Sequence, residues 1–502
     1  MPQPTSLPVA PGDIAVSKLG PLSFGLLDGD LLLSNDAGEW TLLPRADAGM
    51  FLAGRLGTEH ACHAELTRKG FLREGLDVDR LAYRLRRKKA AVFQGTHLHI
   101  FVVTLRCDHA CRYCHASRLP MDASGADMSV DTARQAVDIA FQSPSAAINF
   151  EFQGGEPLAN PDLVRFVVEY ARECNRFHKK DLRFSLVTNL SRMTEEHLAW
   201  LVAPDIALCT SLDGPADLHD DNRRRLGGGS SYAEVTRWIR RIREAYAEGG
   251  YDPRHFKVDA LMTTTRASLG RARDIVDTYV ELGLGALNLR TLNRYGFAAA
   301  AWRQIGYAPE EYLAFYFEAL DDVLARNRAG VDLREHTASV FLTKMLTPDD
   351  SGHLDMRSPC GAGIGQLAYD HDGRVYTCDE GRMLARTGDS TFELGAVDSA
   401  RMADLVQHPT VRSMTVASLL EALPACRDCV YKPWCGVCPV QSWAAEGDLF
   451  GQRARSDRCK LQRGQIEGLF RRLRDDPDGQ SEQVFRRWTL NRPRVMPPAC
   501  AT

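Results

Sequence analysis

No apolar run in the 502 residues approaches the roughly 20 needed to span a bilayer, so no membrane-crossing helix is expected. No strongly basic block occurs either, and the formal net charge is −3. That argues against nucleic acid as the main partner, because neutralising phosphates leaves a basic footprint on a protein. The opening "MPQPTSLPVAPGD" has neither the charged n-region nor the apolar h-region of a secretory signal, and a cytoplasmic location is expected. Low-complexity tracts are missing, as is any repeat beyond an alternation of β and α patterns.

What is present is ordinary in bulk and unusual in one residue type. The chain is 44% hydrophobic and 25% charged, as soluble globular proteins are. At this length a core forms without disulfide staples. Yet there are 14 cysteines, which a reducing compartment keeps unpaired. They are unevenly spread. Cys107, Cys111 and Cys114 form one cluster, and Cys360, Cys378, Cys426, Cys429, Cys435, Cys438 and Cys459 form a second field. Cys62, Cys174, Cys209 and Cys500 stand alone and read as small buried hydrophobes.

Between 20 and 95, "LSFGLLDGDLLLSNDAGEWTLL" reads as a hairpin turning at "DGD" and again at "NDAG". Helical patterns follow near 46–56 and 58–70, then the charged "YRLRRKKAA". This suggests a small winged-helix-like α+β module, or else a simple extension of the main domain. From 97 to 293, six β-rich runs ("LHIFVVTL", "AINFEFQG", "LRFSLVTN", "DIALCTSL", "HFKVDALM", "ALNLRTLN") alternate with amphipathic helical stretches. That pattern predicts an α/β fold with a parallel sheet and helices outside it. Such sheets place their chemistry at the carboxyl ends of the strands. The expected organisation is a module over 1–95, the β/α array over 96–305, a helical linker over 306–350, the cysteine-rich region over 351–465 and a charged tail over 466–502.

The trio "CDHACRYC" has the spacing C-x3-C-x2-C and immediately follows the first β run of the array. A tetrahedral metal site wants four ligands. Three readings are open: zinc completed from elsewhere, an iron–sulfur cluster with a remote fourth cysteine, or a [4Fe–4S] cluster with one open iron. With Tyr113 before the last cysteine, the trio resembles the motif of the radical SAM superfamily. The resemblance implies a partial (β/α)6 barrel, a [4Fe–4S] cluster on Cys107, Cys111 and Cys114, and S-adenosylmethionine (SAM) on its open iron. "FQGGEP" supplies Gly154, Gly155 and Glu156, which match the superfamily's GGE signature. Glycines permit close backbone approach, and the carboxylate would hold the SAM ammonium. The resemblance also carries Tyr113, Ser211 and Asp213 to the cofactor (the last two at the ribose) and Arg223 to the SAM carboxylate. Asn189 is read as a cofactor contact or a strand-end cap.

The second field, with "GRVYTC" ending at Cys378 and the run Cys426-x2-Cys429-x5-Cys435-x2-Cys438, resembles the SPASM domain and its two auxiliary [4Fe–4S] clusters. The usual form has three residues before the last cysteine of that run; here "CGVC" has two. By analogy Cys426, Cys429, Cys435 and Cys459 hold one cluster, and Cys360, Cys378 and Cys438 hold the other. No convincing eighth cysteine is apparent. More narrowly, "LLLSNDAGEW", "FEFQGGEPL" and "LRTLNRYGFA" are similar to the radical SAM maturase of His-Xaa-Ser peptide systems. That implies a precursor-peptide substrate, a leader-binding N-terminal module, an electron donor such as flavodoxin or ferredoxin, and a second radical SAM maturase as partner. Competing readings are a sulfatase-type formylglycine maturase with Asp379 as catalytic base, a SPASM enzyme acting on a small molecule, and a non-catalytic iron–sulfur or zinc scaffold that binds a peptide.

Overall fold

A computed structural model describes residues 6–253 and 255–489. Cys500 lies outside the described residues.

The N-terminal module opens with strands β1 (Ser23–Leu27), β2 (Asp30–Ser34) and β3 (Trp40–Leu43), an antiparallel meander. Asp28 and Gly29, at φ +52° and +95°, make the two-residue turn of the first hairpin. Asp-Gly is suited to it because both central residues must adopt positive φ. Helices Arg45–Leu52, His63–Arg68 and Val78–Lys88 follow. The first two are shorter than their apolar patterns suggest. Gly54, at φ +62°, stops the first just after its last turn.

Strand alternation divides the leucines of "DLLLS" between two cores. Leu31 and Leu33 pack with Phe51, Leu52, Leu66 and Phe71 inside the module. Leu27 and Leu32 belong to the main core of the protein. The module is therefore docked, with one sheet face turned into the C-terminal region. Ser34 donates to the carbonyl of Val430 at 2.6 Å, and Trp40 Nε1 to that of Met345 at 2.8 Å.

The six expected β runs are β4 (Leu98–Thr104), then, after a short β5 (His109–Cys111), β6 (Ala147–Gly154), β7 (Asp181–Thr188) and β8 (Ile206–Ser211), and, after a short β9 (Arg223–Arg225), β10 (Asp259–Thr263) and β11 (Ala286–Arg290). All six pair in parallel in the order β11-β10-β8-β7-β6-β4. Ile148, Phe150 and Phe152 on β6 face the outer helices, while Asn149, Glu151 and Gln153 alternate onto the opposite face. The sheet does not close among the described residues. Past β11 it gains β12 (Arg334–Glu335).

At its other edge β4 pairs in parallel with β13 (Gln366–Tyr369), which continues antiparallel into β14 (Arg374–Tyr376) and β15 (Glu393–Ala396). The cysteine-rich region is thus an extension of the same ten-stranded sheet. The expected linker forms helices Pro309–Arg328 and His336–Leu346. The segment read as a tail departs from expectation: Asp457–Arg474 and Gln480–Thr489 are helices, and Val484, Phe485 and Trp488 are buried in the main core.

Candidate functional site

The loop after β4 is held open by backbone pairing. Cys107 N–H donates to the Leu119 carbonyl at 3.0 Å. β5 pairs antiparallel with β9, which sets Cys111 opposite Arg223. The GGE segment presses against the start of this loop. A Cβ on Gly154 would lie 2.1 Å from the Thr104 carbonyl oxygen, and one on Gly155 2.3 Å from that of Arg106. Only glycine allows these approaches. Gly155 and Glu156 N–H then donate to those same two carbonyls, each at 2.8 Å.

The Glu156 side chain is 1% exposed. Its carboxylate accepts from Thr188 Oγ1 at 2.5 Å, Asn189 N–H at 2.7 Å and Leu158 N–H at 3.0 Å. Burial raises its pKa to about 7 despite these donors. Its place is thus between the cysteine loop and the end of β7. Asn189 reaches across that junction: Nδ2 lies 2.9 Å from His109 Nδ1, 3.2 Å from Asp108 Oδ1 and 3.7 Å from Cys107 Sγ. Ser191 Oγ donates to Asp108 at 2.7 Å. Sequence reasoning missed Asp108, His109 and Ser191. "DH" inside the cysteine motif was the available signal.

Tyr113, Asp213 and Arg223 meet in the interior. Tyr113 Oη donates to Asp213 Oδ2 at 2.5 Å, and Thr263 N–H to Oδ1 at 3.2 Å. Arg223 Nε forms an ion pair with the same carboxylate at 3.1 Å, without the alignment of a hydrogen bond. Asp213 is 0% exposed, so an expected contact with a ribose does not match its position; it anchors neighbouring side chains instead. Ser211 ends β8, half-buried.

The structure gathers the other predicted cysteines into two groups. Cys360, Cys378 and Cys438 are buried together. Cys378 and Cys438 each cap a helix, Asp379–Ala385 and Pro439–Glu446, with Sγ accepting from Gly381 N–H and Gln441 N–H at 3.4 Å. Burial outweighs these helix ends and pushes both thiols up, Cys438 to about 11. Cys426, Cys429, Cys435 and Cys459 line a cavity of about 550 Å³. Burial first, and the neighbouring thiols next, push Cys426 up to about 11 and Cys435 up to about 12. Sulfurs crowded this way repel one another as thiolates, and a cationic centre relieves that repulsion. Donor sets of thiolates alone are those that iron–sulfur clusters take, and a four-thiolate zinc site shares them. Asp379, the expected base, is buried and paired with Arg382 Nε at 2.8 Å.

The sequence pattern of the radical SAM superfamily matches residues 101–251, from β4 through the trio, GGE and the Tyr113–Asp213–Arg223 anchor. The chain carries a radical SAM domain. Such domains use a [4Fe–4S] cluster and SAM. Among curated relatives, the chain is similar to an AdoMet-dependent heme synthase of Oleidesulfovibrio alaskensis, 24% identical over 69% of this chain and 83% of that protein. It is also similar to a PqqA peptide cyclase of Rhodopseudomonas palustris, 27% identical over 39% of this chain and about half (47%) of the cyclase. In fold, the domain and its extensions resemble native anSMEcpe with bound AdoMet (TM-score 0.62, 19% identity, 78% of this chain and 100% of that one). They also resemble Streptococcus suis SuiB bound to precursor peptide SuiA (TM-score 0.51, 14% identity, 86% and 98%). No helix among the described residues is long and apolar enough to cross a membrane.

Proposed function

We propose that this protein is a radical SAM maturase that cross-links or oxidises a ribosomally made peptide, with a His-Xaa-Ser precursor as the preferred substrate. The observation that carries the reading is the shared wall of the 550 Å³ cavity: Phe24, Gly25 and Leu26 of β1 line it together with Cys426, Cys429, Cys435 and Cys459. β1 is an edge strand of the module's sheet. An edge strand offers unpaired backbone groups to an extended peptide. Leader recognition by the module would bring a peptide close to the cysteine-rich region. The fold likeness to SuiB, seen with its precursor peptide, and the sequence likeness to a PqqA peptide cyclase support the same substrate class.

In this reading Cys107, Cys111 and Cys114 hold the SAM-binding cluster. Cys426, Cys429, Cys435 and Cys459 hold one auxiliary cluster; Cys360, Cys378 and Cys438 hold another. Bound together and given one electron by the reductant, the first cluster and SAM would supply radical chemistry able to take hydrogen from the substrate. The protein's part is positional. Gly154 and Gly155 let the GGE turn brace the loop, Glu156 ties it to β7, and the Tyr113–Asp213–Arg223 anchor fixes its far side. A flavodoxin or ferredoxin would serve as reductant and a second radical SAM maturase as partner. Nothing about Asp379 favours the formylglycine alternative, because its carboxylate is engaged by Arg382.

The test is anaerobic incubation of reconstituted protein with SAM, dithionite and a His-Xaa-Ser precursor. A peptide mass loss with stoichiometric 5′-deoxyadenosine supports the reading. SAM cleavage with no change in peptide mass counts against the substrate.

A further inference from the structure

The stretch "NRYGFA" is given no role above, yet it touches or lines all three cysteine groups. Gly296, at φ +51°, is pressed against the radical SAM loop: a Cβ there would lie 2.5 Å from the His115 carbonyl oxygen and 2.6 Å from that of Cys114. Phe297 N–H donates to the Cys114 carbonyl at 2.9 Å. His115 Nε2 lies 3.1 Å from the Asn293 carbonyl oxygen. The segment is therefore clipped to the residue that ends the first cysteine trio.

Tyr295, between these contacts, is 3% exposed. Its ring meets the His115 ring edge-on at 6.3 Å. It packs in one buried cluster with Cys360, Cys378 and Cys438. It also lines the cavity of Cys426, Cys429, Cys435 and Cys459. A polar strand runs beside it: Gln441 Nε2 donates to Asn293 Oδ1 at 3.4 Å, and Arg458 Nη1 to Gln441 Oε1 at 3.3 Å. Arg458 directly precedes Cys459.

We propose that Tyr295 is a positioning residue for the Cys360/Cys378/Cys438 centre, donating its phenolic hydrogen bond to that centre and tuning its reduction potential from a place in contact with the radical SAM loop. The ionisable acids around its hydroxyl are Cys438, Glu380 and Cys378, two of them members of that centre. A donor aimed at a cluster's sulfurs favours its more negative, reduced form, so the potential rises. The inference rests on the reading of these cysteines as cluster ligands.

The experiment is potentiometric EPR on reconstituted wild-type protein and Tyr295→Phe, with iron and sulfide analysis. Phenylalanine keeps the ring and removes only the hydroxyl. The expected result is unchanged metal content and an unchanged SAM-cluster signal, with one auxiliary midpoint shifted to more negative potential and the other two fixed. If all midpoints coincide in the two proteins, Tyr295 merely fills space and the proposal falls. If Tyr295→Phe loses a cluster's worth of iron, the hydroxyl is needed for assembly rather than tuning, which also overturns it. If the wild-type protein shows no auxiliary signal at all, the ligand reading fails, and the proposal with it.

Discussion

The guanidinium of Arg223 lies 5.1 Å over the ring of Tyr113, and both side chains close on one carboxylate of Asp213. Arg223 sits opposite Cys111 in the β5–β9 pair, so this anchor sets the far side of the cysteine loop. Arg223→Met should leave Asp213 buried without its cation, at a cost of about 3–5 kcal/mol. Denaturant unfolding of the metal-free protein measures it. A loss under about 1 kcal/mol would mean that the pair behaves like a surface ion pair.

Glu156 has three protein donors and no exposed oxygen to spare. Glu156→Gln keeps the shape but turns one acceptor into an NH2 group, so one donor at the end of β7 loses its partner. The expected cost is about 1–3 kcal/mol. Slower hydrogen exchange at Asn189 in the variant than in the wild type would contradict this, since Asn189 N–H is the donor at 2.7 Å.

Cluster content tests the ligand sets. Three cubane clusters would bring the reconstituted protein to about twelve irons and twelve sulfides. Replacing Cys107, Cys111 and Cys114 with Ala should remove about four of each and abolish 5′-deoxyadenosine formation, leaving the two auxiliary groups filled. Zinc-dominated metal analysis with little sulfide would refute the assignment.

Trp40 ties the module to the rest of the protein. Its ring meets Phe470 edge-on at 4.8 Å, and Phe470 meets Trp434 at 4.9 Å. Trp40 is half-buried, so Trp40→Ala should cost about 2–3 kcal/mol, below the range for a fully buried ring, and loosen the module. Limited proteolysis should then cut near residues 89–97 faster than in the wild type. The docking also bears on truncation: removing residues 1–95 would strip Leu27 and Leu32 from the main core.

Much of this was legible in the sequence because it rests on local rules. The β/α alternation specifies β4, β6, β7, β8, β10 and β11, though not the short β5 and β9, and Asp28-Gly29 specifies the first hairpin. Spacing singles out the Cys107–Cys114 trio, and the resemblance to the SPASM domain sorts the later cysteines into two groups. Burial and pairing were not legible. Nothing in "SLDGP" shows that Asp213 ends up at 0% exposure with Tyr113 from a segment 100 residues away. "DLLLS" does not reveal that its middle leucine serves a different core from its neighbours. The tail helix looked weakly periodic because its buried set, Val484, Phe485 and Trp488, spans little more than one turn.

The joint between the two halves of the sheet carries a pH dependence of its own. His99 on β4 is 0% exposed, with Nδ1 3.0 Å from Tyr369 Oη on β13 and Nε2 unpartnered. Burial pulls its pKa down from 6.5 to about 3. In the unfolded chain the imidazole takes a proton near its ordinary value, while in the fold it stays neutral. The stability tied to the neutral ring is therefore fully present above pH 6.5 and is lost as pH falls from there toward 3. The slope from this group is up to about 1.4 kcal/mol per pH unit. His99→Gln, which cannot titrate, should flatten that part of the profile. Unfolding free energies measured between pH 7 and pH 5 should fall by about 2 kcal/mol less in the variant than in the wild type. Parallel profiles would mean that His99 takes up its proton in the fold at the same pH as in the unfolded chain, and the β4–β13 joint would then owe nothing to a neutral imidazole.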